Sequence, residues 1–334
     1  MRRTTLKDLA KAAGVSVASA SYAVNGTGSL GEETRARILR VAGELDYKPN
    51  QMAKAMKTGQ TGAIGLMVPD LTNPFFPSLA QTVIQTARLS GLSVFITDTE
   101  GSPEQERRSA SQLIDHGIDG LIWFPIVDTD TLGPLLANTP TVVLDRILPS
   151  YDLILADYAL GGELAAAHLI AAGHREIGII SGPLDAWSAR IRAEAAARYV
   201  EAHAHLAWTV ESAFAIDLDP AIKAVLDERR ATGVIAGADL MAIGAIRHLQ
   251  SQGVQVPADV SVVGFDDIPW AQLTTPALTT IEMPVEEMGV AAVETLLRRI
   301  ANPKGSRRKI VFNVALITRS TVGPAAGAPF PERS

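Results

Sequence analysis

Leu6, Leu9, Ala10 and Ala13 recur at helical spacing near the start of the chain, which predicts a short helix with one apolar face. Thr5, followed three residues later by Asp8, is a capping-box pattern that fixes where this helix begins. Gly14 interrupts it, and Ser16 is a good N-cap for a second helix that carries Ala20 and Val24 inward. Val17, Ala18, Ser21 and Tyr22 share the opposite face. Two short helices joined by a tight glycine turn, the second with small and aromatic side chains outward, read as a helix-turn-helix. The competing reading is an ordinary helical hairpin. A third helix is expected from Glu32 to Asp46, with Thr34, Ile38, Val41, Ala42 and Leu45 inward.

Beyond residue 62 the pattern changes to short apolar runs alternating with helical stretches. AIGLMV (63–68), SVFIT (93–97), GLIWF (120–124) and TVVL (141–144) read as strands. Helices are expected around 75–91, 104–117 and 129–137. The rhythm restarts with EIGII (176–180), GVIA (233–236) and SVVGF (261–265), separated by helices near 187–204, 218–230 and 239–252. Buried strands joined by helices predict parallel, doubly wound sheets, and two such runs predict two similar subdomains. The fold class is α/β with a small all-α module in front.

Charge divides the chain the same way. Residues 1–60 hold ten lysines and arginines against five acids, +5; the whole chain is −6, so the remainder carries −11. A basic module on an acidic body fits a polyanion-binding part joined to one that does not bind nucleic acid. The 334 residues suit two or three domains. Cysteine is absent, which removes disulfides and thiolate chemistry, and no metal ligand set is expected. The N-terminus has no apolar signal core, and no window holds the roughly 18 consecutive apolar residues of a membrane span, so a cytoplasmic protein is expected. Gly26 to Gly31 matches G-x-G-x-x-G, but a helix precedes it where a dinucleotide site needs a strand, so an inter-helix loop is expected. Neither H-E-x-x-H nor G-x-S-x-G occurs. His203 and His205, two apart on an expected helix, would point to different sides, and His168 and His174 read as structural, so no enzyme and no cofactor is expected.

TLKDLAKAAGVSVASASYAVNG, then EETRARILRVAGELDYKPN, then the pair Ala53 and Met56, resemble the headpiece and hinge of the LacI/GalR family of bacterial transcriptional repressors. The likeness continues through IGLMVPDLTNPFF (64–76), DGLIWF (119–124), VVLDR (142–146), HLIAAGHREIGIISGPL (168–184), DVSVVGFDDIPWA (259–271) and TPALTTI (275–281), covering about Thr4 to Val322. It implies a DNA-binding headpiece of residues 1–49, a hinge of 50–61 and a periplasmic-binding-protein-like body of 62–323. The body would divide into an N-subdomain (about 62–158 and 285–313) and a C-subdomain (about 159–284 and 314–323), with crossovers near Asp157–Gly162, Pro284 and Thr318. The tail 324–334, rich in Pro, Gly and Ala, is expected to be disordered and carries no heptads, so a homodimer is expected.

The resemblance assigns contacts with double-stranded palindromic operator DNA to Thr5, Ser16, Val17, Ala18, Ser21, Tyr22 and Asn25, and to Asn50, Ala53 and Met56 of the hinge. It assigns effector contacts to Arg192 and Asp266, and Phe75, Asp98, Asp145, Trp187, Ser188 and Phe214 complete the candidate effector set. Ligands of open α/β sheets sit at the carboxyl ends of strands, and that rule independently places Asp98, Asp145-Arg146, Trp187 to Arg192 and Asp266-Asp267 in one cleft. Carboxylates and a guanidinium can each hold vicinal hydroxyls while an aromatic ring offers an apolar face, which suits a sugar or other polyol. A nucleoside or purine corepressor is the alternative effector; a sugar-binding transport protein would share the body but lack the headpiece. Two departures stand out. Tyr22 stands where the family usually has Arg, which would bind guanine bidentately. Ala238 stands where a side-chain amide often contacts effector.

Overall fold

The computed structural model describes residues 4–47 and 60–325. The chain divides at Gly62 and Ala63 into a headpiece and a body.

Three helices build the headpiece: α1 (Leu6–Ala12), α2 (Val17–Asn25) and α3 (Glu32–Glu44). The capping box forms in full, with Asp8 N donating to Thr5 Oγ1 and Thr5 N donating back to the Asp8 carboxylate at 2.9 Å. Ser16 Oγ accepts from Ser19 N and starts α2. Gly14, at φ +63°, supplies the left-handed turn between them. Leu9, Ala10, Ala13, Ala20, Ala23 and Ile38 close the core. Most are alanines, so the helices approach closely, and Leu9 and Ile38 supply the bulk, at about 1.5–3 kcal/mol each for full burial. The inward pair on α2 is Ala20 and Ala23, with Val24 only half-buried. Leu45, expected inside, caps α3 and is 37% exposed. The loop through Gly26 and Gly28 joins two helices as expected.

The body begins with β1 (Ala63–Val68), α4 (Phe75–Leu89), β2 (Ser93–Asp98), α5 (Pro103–Asp115), β3 (Gly120–Trp123), α6 (Gly133–Leu136), β4 (Thr141–Leu144) and β5 (Asp152–Ala156). It continues with α7 (Tyr158–Ala171), β6 (Glu176–Ser181), α8 (Trp187–His203), β7 (His205–Glu211), α9 (Pro220–Asp227), β8 (Gly233–Ala236), α10 (Asp239–Ser251) and β9 (Ser261–Asp266). Last come β10 (Thr279–Glu282), α11 (Val285–Ala301), β11 (Lys309–Phe312) and β12 (Ala315–Ile317).

Two six-stranded sheets result, ordered β11-β5-β4-β3-β1-β2 and β12-β10-β9-β8-β6-β7. The first five strands of each half therefore follow one doubly wound order. All pairs are parallel except β10 with β12, which is antiparallel. Strands β1, β3, β4, β5 and β8 are buried along their whole length, as helices on both faces require. The chain crosses between the sheets three times: between Ala156 and Tyr158, between Glu282 and Val285, and between Phe312 and Ala315, ahead of Thr318. Helix α11 returns to pack on α4 and on β3, β4 and β5 of the first sheet.

Several elements escape the hydrophobic pattern. Strand β5 opens with Asp152, a completely buried carboxylate held by Arg298 at 2.6 Å, Arg299 at 2.7 Å and the Arg308 N–H at 2.7 Å. Strand β7 is a half-exposed edge. His203 ends α8 and His205 begins β7, so the two do not share a helix. The His174 ring bonds Thr232 Oγ1 at 3.0 Å and Gly323 O at 3.1 Å, a structural role. Ala325 N donates to Ala172 O, so the first residues of the tail, expected to be disordered, are tied to the second half. Among the described residues no helix is long and apolar enough to cross a membrane.

Candidate functional site

Val17 and Tyr22 are 43% and 44% exposed on the outer face of α2, with Ala18 exposed and Ser21 half-buried beside them. Asn25 turns its amide back, donating to Ser21 O at 2.8 Å and Ser21 Oγ at 3.1 Å, and keeps its carbonyl oxygen available. The Tyr22 ring lies against Gly28: a Cβ on Gly28 would sit 2.7 Å from the ring, and Gly28 is itself at φ +73°. Only glycine satisfies both conditions. The loop following α2 thus orients the side chain that departs from the family pattern. Thr5 and Ser16 spend their side-chain oxygens as caps. Asn50, Ala53 and Met56 lie outside the described residues.

The carboxyl ends of the two sheets meet across a polar cleft. Asp145, one residue past β4, accepts from Arg146 Nη1 at 2.5 Å, from Ser188 Oγ at 2.8 Å and from the Tyr158 hydroxyl. Ser188 is the second residue of α8 and Tyr158 begins α7, both in the second half, so this one carboxylate joins the two halves. Asp128, in the loop after β3, makes a second bridge: it accepts from Trp187 N and from Arg190 Nη2, both at 2.9 Å, and Arg146 Nε lies 3.5 Å from it. The buried Glu106 positions that loop, accepting from Trp123 Nε1, Ile126 N and Thr131 Oγ1 at 2.9 to 3.0 Å.

Deeper in the second half, Arg192 Nη1 stands 3.6 Å from Asp266 Oδ1. Its guanidinium carbon lies 4.7 Å from the Phe265 ring centre and 5.2 Å from that of Phe214, within cation–π range. Arg192 is 93% buried by its 7% exposure, yet its Nε has no hydrogen-bond partner. A buried donor without an acceptor is costly, and a ligand oxygen would relieve it. Asp145 and Asp266 sit at φ +66° and +113°, backbone strain of about 1–3 kcal/mol each that concentrates at binding sites.

Burial pushes the Asp266 carboxyl up to about 7; Arg192 opposes this and Asp145 adds to it. Burial, and then Asp145, likewise hold the Tyr158 phenol well above its usual range, so it remains a donor to Asp145. Asp239, behind the site, accepts from Thr280 Oγ1 at 2.5 Å and Ile268 N at 2.8 Å, and burial raises it strongly. Ala238 precedes it as a buried methyl with no side-chain cap. Beside Asp266 opens a cavity of about 650 Å³, a volume suited to a small ligand. Its lining draws on Ser78 of α4 and on the second and third crossings, and includes Asp267, Glu282, Glu286 and Glu287.

Asp145, Trp187, Ser188, Arg192, Phe214 and Asp266 are therefore brought together. Two expected residues stay apart. Asp98 gives both carboxylate oxygens to its own loops, accepting from Leu71 N and Glu100 N at 2.8 Å each. Phe75 is buried in the first half's core, edge-on to Phe76 and Phe124. Tyr158 and Asp128 were missed. The strand-end rule would have found Tyr158 had β5 been recognised.

A helix-turn-helix headpiece joined to a two-sheet body whose strand ends enclose a polar cleft defines a DNA-binding regulator. Residues 5–50 match bacterial regulatory proteins, lacI family, and residues 166–322 match the periplasmic binding protein-like domain. The chain is 34% identical to the ribose operon repressor of Haemophilus influenzae, over 95% of this chain and 98% of that one. It is 33% identical to the HTH-type transcriptional repressor PurR of Proteus mirabilis, over 98% of each. The lac repressor dimer bound to operator and the anti-inducer ONPF superimposes with a TM-score of 0.85 at 27% identity, over 96% of this chain and 100% of that one. The chain belongs to the lacI family of bacterial regulatory proteins, and it is a DNA-binding transcriptional regulator.

Proposed function

We propose that this protein is a homodimeric repressor of a carbohydrate-utilisation operon whose affinity for a palindromic operator is switched by a pentose-type sugar bound between the two sheets. The observation that carries the reading is the unpartnered Nε of buried Arg192 beside Asp266, with Asp145 across the cleft. Arg and Asp on opposite sides supply donors and acceptors for vicinal hydroxyls. The adjoining cavity, with five carboxylates among its lining residues, suits a neutral polyol and disfavours a phosphorylated one. Likeness to the ribose operon repressor makes ribose the first candidate, and likeness to PurR keeps a purine base as the second.

The dimer and its operator rest on the lac repressor likeness together with the exposed face of α2. Because Asp145 bonds Ser188 and Tyr158 across the cleft, a ligand that competes for those donors shifts the balance between closed and open arrangements. The test is a melting-temperature panel of ribose, other pentoses, hexoses and purine bases, followed by operator binding with each ligand that stabilises the protein. Stabilisation by a pentose with a change in operator affinity supports the reading. Stabilisation by purines alone replaces the sugar with the second candidate, and operator affinity indifferent to every stabilising ligand overturns the switch.

A further inference from the structure

A second cavity, of about 470 Å³, opens at the opposite edge of the first sheet. Thr141 and Asp152, the first residues of β4 and β5, line it, so it lies at the amino ends of strands whose carboxyl ends form the cleft. Arg299 and Arg307 provide its cations and Asp130 and Asp152 its carboxylates.

Three of these four charges are already engaged. Asp152 is covered by Arg298, Arg299 and the Arg308 N–H. Asp130 takes the Tyr151 hydroxyl at 3.1 Å and the Leu132 N–H at 3.3 Å. Arg299 spends its donors on Asp152 and on the carbonyls of Pro303, Gly305 and Ser306. Arg307 differs: its Nε donates to Ser150 O, which fixes the side chain, while among the described residues its two terminal nitrogens find no hydrogen-bond acceptor. No carboxylate among the described residues comes within 4.0 Å of it.

The surroundings add to this. Residues 298–309 carry six lysines and arginines and no acid, in a part of the chain whose net charge is −11. Lys304, Arg307, Arg308 and Lys309 are exposed. The acidic cavity beside Asp266 has the opposite character, with its one cation, Arg319, paired to Asp267 at 2.7 Å. A local positive field around a pre-positioned guanidinium fork is the arrangement that captures phosphate or carboxylate.

We propose that this amino-edge cavity is a second ligand site, separate from the effector cleft, that takes a small metabolite through a phosphate or carboxylate group held by Arg307. The Asn138 amide stands ready for the polar remainder, the Tyr151 oxygen, whose proton goes to Asp130, can accept from it, and Leu136, Pro140 and Pro303 meet its carbon skeleton.

The experiment is calorimetric titration of the full-length protein, at constant ionic strength into the millimolar range, with inorganic phosphate, ribose 5-phosphate and citrate. The wild type should show one saturable event with a phosphate probe or with citrate, and which one binds names the anion. Arg307→Ala, and separately Asn138→Asp at an exposed position, should weaken it about tenfold or more, the loss of a charge-assisted bond. Both variants should keep wild-type melting temperature and operator affinity. Asp266→Ala should bind the anion as wild type does. No saturable binding by any probe, equal binding by Arg307→Ala, which would locate the anion on the basic headpiece, or loss in Asp266→Ala alone would each overturn the site.

Discussion

Ser188, the second residue of α8, donates a 2.8 Å hydrogen bond to Asp145 at the end of β4, and so ties one half of the body to the other through the floor of the cleft. Ser188→Ala should cost about 1 kcal/mol of stability, the usual net worth of such a bond, and should make the cleft easier to open. Chemical denaturation measures the first effect. A loss well above this value would mean that Ser188 also supports packing rather than only bridging the halves.

Asp266 gives the body a pH dependence with a definite sign. Its carboxyl titrates near 7 in the folded protein and near 3.8 once unfolded, so the stability it contributes is present at low pH and is lost as pH rises through 7. The melting temperature of wild type relative to Asp266→Asn should therefore fall between pH 5 and 8. A parallel course of the two proteins over that range would contradict the raised value.

Gly28 and Tyr22 should act together on operator choice. Gly28→Ala introduces a methyl 2.7 Å from the Tyr22 ring at φ +73°, so it should displace the phenol and destabilise the headpiece by about 1 kcal/mol or more. Selection from a randomised operator pool should show Gly28→Ala and Tyr22→Ala altering preference at the same position of the half-site, by about 1–3 kcal/mol. A uniform loss of affinity across all sequences would instead mean that Tyr22 meets only the phosphate backbone.

Asp152 anchors the return of α11 to the first sheet. Removing one partner of a buried pair costs about 3–5 kcal/mol, and Asp152→Ala leaves two arginines facing an apolar strand start. A large drop in melting temperature is expected, partly restored when Arg299 is also replaced by Met. An unchanged melting temperature in the single variant would show that the cluster is dispensable.

The parts of this fold that a reader of the sequence can recover are those buried on both faces, because AIGLMV, GLIW, TVVL and GVIA need no knowledge of distant residues. DLILA is as buried, but its first residue is an acid neutralised from 146 residues away, and no local pattern announces that. Missing β5 also hid Tyr158. Asp145 and Ser188 were placed by the strand-end rule and Arg192 and Asp266 also by the family resemblance, and the structure brings all four to one cleft. Asp98 obeys the same rule yet serves its own loop, since backbone N–H groups reach its oxygens first. Strand-end position identifies what can face a cleft; competing local donors decide what does.

Arg192 should read the ligand without touching DNA. Operator binding followed by fluorescence anisotropy, with and without saturating ribose, in wild type and in Arg192→Ala, tests it most directly. Both proteins should bind operator equally without sugar, and ribose should shift the wild type by about 5- to 150-fold, the usual range of allosteric coupling, while leaving Arg192→Ala unmoved. A ribose-driven shift of the same size in Arg192→Ala would contradict the assignment, as would an Arg192→Ala protein that had lost its operator affinity in the absence of sugar.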